Sequence, residues 1–290
     1  GMVTRNQRNA IIQHGTMTMV RRELLQRIGW SEWCITEDAE LGLRILDEGY
    51  ATTYIARSYG RGLMPDTFLD FKKQRPRWPS GAMQILRRHF AALIHGRDTG
   101  LTAGQRYHFV AGWLPWLADG FNLLVNLAAL VWSLVMVLFP RHIEPPLMLF
   151  SVLPLSLFLF KLVKLLHLYR ARVGATFTQT IAAAIAGLGL SHTVGSAMLS
   201  GFVNKDRPFF RTPKRTTRHA WLQSLAAARE EAVLMCGLWI AAFAVSSIPQ
   251  MDGDQPGLVG SPDLTVWVTV LLVQSIPYAA AVIVSLVSSL

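Results

Sequence analysis

Two short segments carry residue types that can do chemistry together. Thr36-Glu37-Asp38 follows a Gly/Trp-rich turn and offers a carboxylate able to take a proton from a hydroxyl. Gln74-Arg75-Pro76-Arg77-Trp78 offers an amide, two guanidinium groups and an indole. Guanidinium forks match the oxygens of a diphosphate, and an indole presents a flat apolar face to a sugar ring. Apolar stretches long enough to cross a bilayer follow almost at once. A carboxylate, an anion clamp and a sugar platform beside membrane helices point to glycosyl transfer at a membrane surface.

Each segment also has a plainer reading. Acidic residues belong at a helix start, where the dipole favours negative charge. Arg and Trp anchor interfacial helices by snorkelling. A third element, Phe209-Phe210-Arg211-Thr212-Pro213-Lys214, reads either as a juxtamembrane basic loop or as a mobile lid. In the second case the Thr212 hydroxyl and Lys214 ammonium reach phosphate oxygens.

The elements that must position these residues follow from local signals. Met17, Met19 and Val20 read as a short strand, and Glu23–Ile28 as a helix stopped by Gly29. Thr36 reads as the N-cap of a helix whose first turn holds Glu37, Asp38 and Glu40. Leu41, Ile45 and Leu46 form its apolar face and Gly49 ends it. Tyr50–Ala56 is rich in Thr, Tyr and Ile and reads as a strand. Pro65-Asp66-Thr67 opens a basic amphipathic stretch to about His95, which Pro76 and Pro79 keep from being one helix.

The 290-residue chain is 51% hydrophobic and 16% charged, with a formal net charge of +10. Residues 1–105 read like a soluble α/β segment, and the long apolar runs fall after them. The Arg and Lys are concentrated outside those runs, as at the cytoplasmic edge of a membrane protein. No recognition motif accompanies the charge, so nucleic acid is not an expected partner. Cys34 and Cys236 have no metal-ligand spacing and read as free thiols, one cytosolic and one within a membrane helix.

Four segments are expected to span: Phe109–Phe139, Leu147–Tyr169, Ala232–Ile248 and Leu264–Leu290. The stretch Ala175–Val203 is long enough to cross. It is flanked by Arg170 and Arg172 on one side and by Lys205, Arg207 and Arg211 on the other. Both flanks are expected to be cytoplasmic, so this stretch is read as interfacial or re-entrant. The loop over 250–263 carries Asp252, Asp254 and Asp263 with no Lys or Arg, and is expected outside. The resulting division is a cytosolic segment over 1–64, interfacial helices over 65–105 and two spans over 106–170. An interfacial stretch with the basic loop follows over 171–220, then two further spans over 221–290.

Taken together, these residues resemble the processive family 2 glycosyltransferases, cellulose synthase and its bacterial relatives. That family has a Thr-Glu-Asp motif, here Thr36, Glu37 and Asp38, and a Gln-x-x-Arg-Trp motif, here Gln74, Arg77 and Trp78. It has a gating loop of the form Phe-x-Val-Thr-x-Lys, here Phe209, Thr212 and Lys214, with Arg211 in place of the usual Val. The order of motifs and spans also matches. Within the family, His14-Gly15-Thr16-Met17 and Trp78-Pro79-Ser80-Gly81-Ala82-Met83 look most like bacterial β-1,3-glucan synthases.

The resemblance implies a multi-pass protein of the bacterial plasma membrane with its catalytic face in the cytoplasm. Its fold would be α-helical and membrane-embedded, with a partial GT-A-like α/β cytosolic segment. Asp38 would be the general base of an inverting transfer from UDP-glucose to a growing β-glucan. Gln74 and Arg77 would hold the diphosphate, Trp78 would stack on the acceptor, and the polymer would leave between the spans past residues such as Trp113, Trp116 or Asn122. The family binds Mg²⁺ or Mn²⁺ through an upstream Asp-x-Asp segment, which is absent from residues 1–105; no metal ligand is expected here. The start Gly1-Met2-Val3-Thr4-Arg5 reads as a chain entered in mid-domain, so the donor-binding half becomes an expected partner and this segment alone is expected to be inactive. The rival reading is a non-catalytic membrane scaffold or transport subunit that keeps motif-like residues.

Overall fold

The computed structural model describes residues 2–13, 15, 17–57, 59–60, 62, 67–203, 226–248 and 262–288. Its elements are helices. In chain order they are α1 (Met2–Gln7), α2 (Arg22–Ile28), α3 (Glu37–Asp47), α4 (Phe68–Gln74), α5 (Arg77–Arg88), α6 (Ala103–Leu138) and α7 (Met148–Leu168). α8 (Phe177–Gly189), α9 (Ser191–Val203), α10 (Arg229–Ser246) and α11 (Pro262–Val287) follow. Single π-helical turns extend α5 over Ala91–His95 and α7 over Tyr169–Val173.

Local chemistry accounts for most boundaries. α2 stops at Gly29, whose φ of 66° suits a residue without a Cβ. α3 opens on Glu37, Asp38 and Glu40 and buries Leu41, Ile45 and Leu46. Pro76 separates α4 from α5, and Pro79 sits in the first turn of α5, where a missing N–H costs no helical bond. α8 starts with a reciprocal capping box: Thr176 Oγ1 accepts from Gln179 N and Gln179 Oε1 accepts from Thr176 N.

The strands expected at Met17–Val20 and Tyr50–Ala56 do not form; among the described residues there is no strand. Thr52 N donates to Asn9 Oδ1 at 2.7 Å and Tyr54 N to Asn6 Oδ1 at 2.7 Å. These alternate N–H groups form the edge a strand would present. They meet the side chains of α1 and the turn after it instead of a second backbone, so extended chain results without a ladder.

The chain divides into two compact units. The first comprises the described residues within 1–66, 70–120 and 193–215. Its core joins Leu43 and Leu46 of α3 to Ala82, Met83 and Ile85 of α5, Phe109 and Trp113 of α6 and Met198 of α9. Trp113, read from sequence as a tunnel or interfacial-belt residue, is 4% exposed and meets Phe109 edge-on. It is a core residue, and Trp116 packs against the same core.

The second unit comprises 67–69, 121–192 and the described residues within 216–290. α10 and α11 pack through Leu238, Ala242, Val245, Trp267, Val270 and Leu271. Polar side chains inside it are paired: Asn126 Nδ2 donates to Tyr278 Oη at 2.6 Å, Trp267 Nε1 to Ser133 Oγ at 3.1 Å and His192 Nδ1 to buried Glu231 Oε1 at 3.0 Å. Such pairs are needed where no water can satisfy a polar group. α7 exposes Phe150, Leu153, Leu157, Phe160 and Val163, an apolar surface suited to lipid.

Among the described residues, four helical segments are long and apolar enough to cross a membrane: Ala103–Leu138, Phe150–Ala171, Phe177–Val203 and Pro262–Val287. Three coincide with expected spans. The fourth is the stretch read as interfacial, which is two helices, α8 and α9, meeting at Leu190. The expected span at 232–248 is α10, 18 residues long, whose first turn holds Arg229, Glu230 and Glu231.

Candidate active site

The Thr-Glu-Asp turn and the Arg-Trp pair belong to the same unit, and α5 joins them. α5 begins with Arg77 and Trp78 and then runs alongside residues 33–40. At its first contact, Gly81 lies against Thr36: a Cβ at position 81 would stand 2.2 Å from Thr36 Oγ1. Only a residue without a side chain permits that approach. One turn on, Gln84 Oε1 accepts from Ile35 N at 3.1 Å. Arg88 lies over the Trp33 ring at 4.9 Å, and His89, which ends the helix, donates from Nε2 to Glu40 Oε1 at 3.1 Å.

Thr36 occupies the N-cap position of α3, as expected, but its side chain makes no capping bond. Its hydroxyl is turned to Gly81 and to Cys34 Sγ, 3.5 Å away. Glu37 and Asp38 occupy the first turn and are half-buried. Asp38 Oδ1 accepts from Ala39 N at 2.8 Å. Its Oδ2 faces Gly15, where a Cβ would come within 3.0 Å. Gly15 has a φ of 55°, a conformation that favours glycine, and a side chain there would crowd that oxygen. One oxygen of Asp38 is thus held at the helix start, and the other lies beside Gly15.

Gln74 ends α4 and Arg77 begins α5; both are half-buried. Trp78 is 45% exposed. The Arg75 guanidinium lies 4.2 Å from the Phe71 ring centroid and 4.5 Å from that of Trp78. Arg75 is therefore held between two rings, and one face of the indole carries a cation. Phe209, Thr212 and Lys214 lie outside the described residues.

Sequence reasoning missed what supports this turn. Glu40 is 1% exposed. Its carboxylate accepts from Ser31 Oγ, from Arg44 Nε at 2.8 Å and from His89. Burial alone pushes its carboxyl up, but the bonds from His89, Ser31 and Arg44 outweigh this and hold it below the ordinary carboxylate range. Arg44 then donates to Ile28 O and, at 2.9 Å, to Gly29 O, the orphan carbonyls at the end of α2. Cys34 is 5% exposed, and burial pushes its thiol above the ordinary range. Cys34 and Cys236 are free thiols, as expected.

Chemically the arrangement offers one half-buried carboxylate, two guanidinium groups and a partly exposed indole in one packed unit. No group of His, Cys, Asp and Glu among the described residues could hold a metal ion. The described residues do not fit the divalent cation of the resembled family.

Residues 2–172 match the family described as "Glycosyl transferase family group 2". Curated relatives include cellulose synthase 1 catalytic subunit (UDP-forming) of Komagataeibacter xylinus, 31% identical over 98 residues, 33% of this chain and 13% of that protein. The cellulose synthase catalytic subunit (UDP-forming) of Pseudomonas fluorescens (strain SBW25) is 35% identical over 99 residues, 34% of this chain and 13% of that protein. The chain therefore matches only about an eighth of the length of these relatives.

Proposed function

We propose, from the premise that this chain belongs to glycosyl transferase family group 2 and is cellulose synthase-like, that it carries the acceptor side of an inverting, membrane-embedded β-glucan synthase. The donor in this reading is UDP-glucose, which the UDP-forming relatives support. A terminal hydroxyl of the glucan meets Asp38, which takes its proton as the oxygen attacks the anomeric carbon. The bond from that carbon to the diphosphate breaks, and UDP leaves. Losing a general base costs about 10²–10⁴-fold in rate. Gln74 and Arg77 hold the departing diphosphate, where charge develops. Trp78 stacks on the acceptor sugar, Thr212 and Lys214 close over the nucleotide, and the polymer leaves between the membrane helices.

The observation that carries this reading is the seating of the Thr36-Glu37-Asp38 turn on α5, the helix that opens with Arg77 and Trp78. A snorkelling anchor needs Arg and Trp at an interface but has no need of a carboxylate turn packed on the same helix. The test is product analysis of membranes carrying the full-length protein, supplied with radiolabelled UDP-glucose. The expected result is a polymer that β-glucanases digest, with the linkage read from the fragments. Absence of any transfer, with the protein folded and abundant, would favour the scaffold reading.

A further inference from the structure

The acidic residue two positions after Asp38 has no role in the chemistry above, yet it is among the most enclosed charged groups in its unit. Glu40 points away from the Asp38 side of α3, since positions two apart on a helix face roughly opposite ways. Its carboxylate is where three helices meet. Ser31 and Arg44 bring the end of α2, Glu40 itself belongs to the start of α3, and His89 is the C-cap of α5. α5 thus touches the Asp38 turn at both of its ends: through Gly81 on Thr36 before Asp38, and through His89 on Glu40 after it.

We propose that the Glu40–His89 hydrogen bond is a positioning device that fixes Asp38 relative to Arg77 and Trp78. The inference rests on the reading of Asp38 as the base. Neither residue is required to touch substrate. His89 Nε2 donates to Glu40 Oε1 while Arg44 and Ser31 hold the same carboxylate to the end of α2. With the His89 bond in place, the first turn of α3 is fastened at two points to the helix that carries the anion clamp. Without it, α3 stays tied to α2 through Arg44 and to α5 through the shared core and Gln84, but its first turn loses its fastening to α5 on the far side of Asp38. Asp38 can then drift from the clamp while the core remains packed.

His89 is the better residue to change, because removing Glu40 would leave the Arg44 guanidinium without its carboxylate. The test compares wild type, His89→Ala, His89→Gln and Asp38→Asn in membranes carrying the full-length protein. A glutamine can place an amide N–H near the position of the imidazole Nε2. Two quantities are read: kcat and KM with UDP-glucose per folded molecule, and the alkylation rate of Cys34 by peptide mass spectrometry. Cys34 is buried beside Thr36 and Gly81, so its alkylation reports loosening of the turn without any substrate.

His89→Ala is expected to lower kcat by about tenfold or more, since a misplacement near 1 Å costs up to about 10²-fold. KM for UDP-glucose should stay within about twofold, because the clamp residues are unchanged, and Cys34 should react several-fold faster. His89→Gln should return both quantities toward wild type. Wild-type kcat and Cys34 reactivity in His89→Ala, alongside inactive Asp38→Asn, would overturn this inference and leave the base reading intact. A loss that glutamine does not restore, or that follows folded abundance alone, would overturn it too. An active Asp38→Asn would sink the base reading itself and with it the claim that Asp38 is what the bond positions.

Discussion

A single methyl group at position 81 should separate catalysis from stability. Gly81 lies on α5 with Thr36 against it, and an alanine Cβ would stand 2.2 Å from Thr36 Oγ1, 2.6 Å from Cγ2 and 2.8 Å from Cβ. Ordinary contact begins at 3.4 Å, so Thr36 must retreat by about 1.2 Å or α5 must lift by as much. Either movement is passed to Asp38 two residues on. A displacement of that size is worth about 10²-fold in rate. Stability should fall far less. Overpacking costs about 1–3 kcal/mol, but Gly to Ala in a helix interior returns about 0.8–1.0 kcal/mol of propensity. The net loss is then between nothing and about 2 kcal/mol. The assay is glucan synthesis from UDP-glucose per folded molecule, with thermal unfolding in detergent on the same samples. Near wild-type turnover in Gly81→Ala would refute the claim that the closeness of α5 to Thr36 sets the active geometry. So would equal losses in turnover and in folded protein.

Further outcomes follow from the same geometry. Asp38→Asn should cut transfer by about 10²–10⁴-fold, with UDP affinity measured by calorimetry nearly unchanged. Arg77→Ala should weaken UDP binding by about ten- to a hundredfold, the worth of a charge-assisted contact of roughly 1.5–3 kcal/mol. Trp78→Ala should instead shorten the product. It also removes one of the two rings that hold Arg75, so Trp78→Phe, which keeps a ring, should retain more activity. Single-cysteine labelling should find position 214 reactive from the cytoplasmic side and position 254 from the outside. The Glu40 carboxyl is held low in the folded protein, so its stabilising contribution is complete above the unfolded value of about 4.3. It should fade as pH falls through the folded value. Unfolding temperatures from pH 7 to 3 should therefore drop at the acid end, and Glu40→Gln should flatten that drop.

Residue types able to do chemistry were more legible than the packing around them. Thr36-Glu37-Asp38 and Gln74–Trp78 could be found because reactive groups are a matter of residue type, and their helices because caps, prolines and apolar spacing are local signals. Glu40 and Arg44 also stand at i,i+4, and that pairing is visible in any helix. What it serves is not visible. Arg44 reaches carbonyls at the end of α2 and Glu40 reaches His89, 49 positions away, and no local rule relates such residues. Gly81 shows the same limit: as a letter it is an unfavourable helix residue, and only the seating of Thr36 gives it a purpose.

The errors have the same origin. Tyr50–Ala56 has the composition of a strand, and its alternate N–H groups do bond as a strand edge would, but asparagine side chains are the acceptors. Trp113 has the residue type of an interfacial anchor or a sugar platform, yet it is enclosed with Phe109. Aromatic and β-branched residues state what a segment can do against a neighbour, not which neighbour it meets. The reading of the site is strongest where type and packing agree. Asp38 has one oxygen fixed by Ala39 N and the other facing Gly15, on a turn that α5 fixes before and after it. A helix start that needed only negative charge would be served by any exposed acid. The seating of this turn is what an acid must have if it is to meet a hydroxyl at a set place.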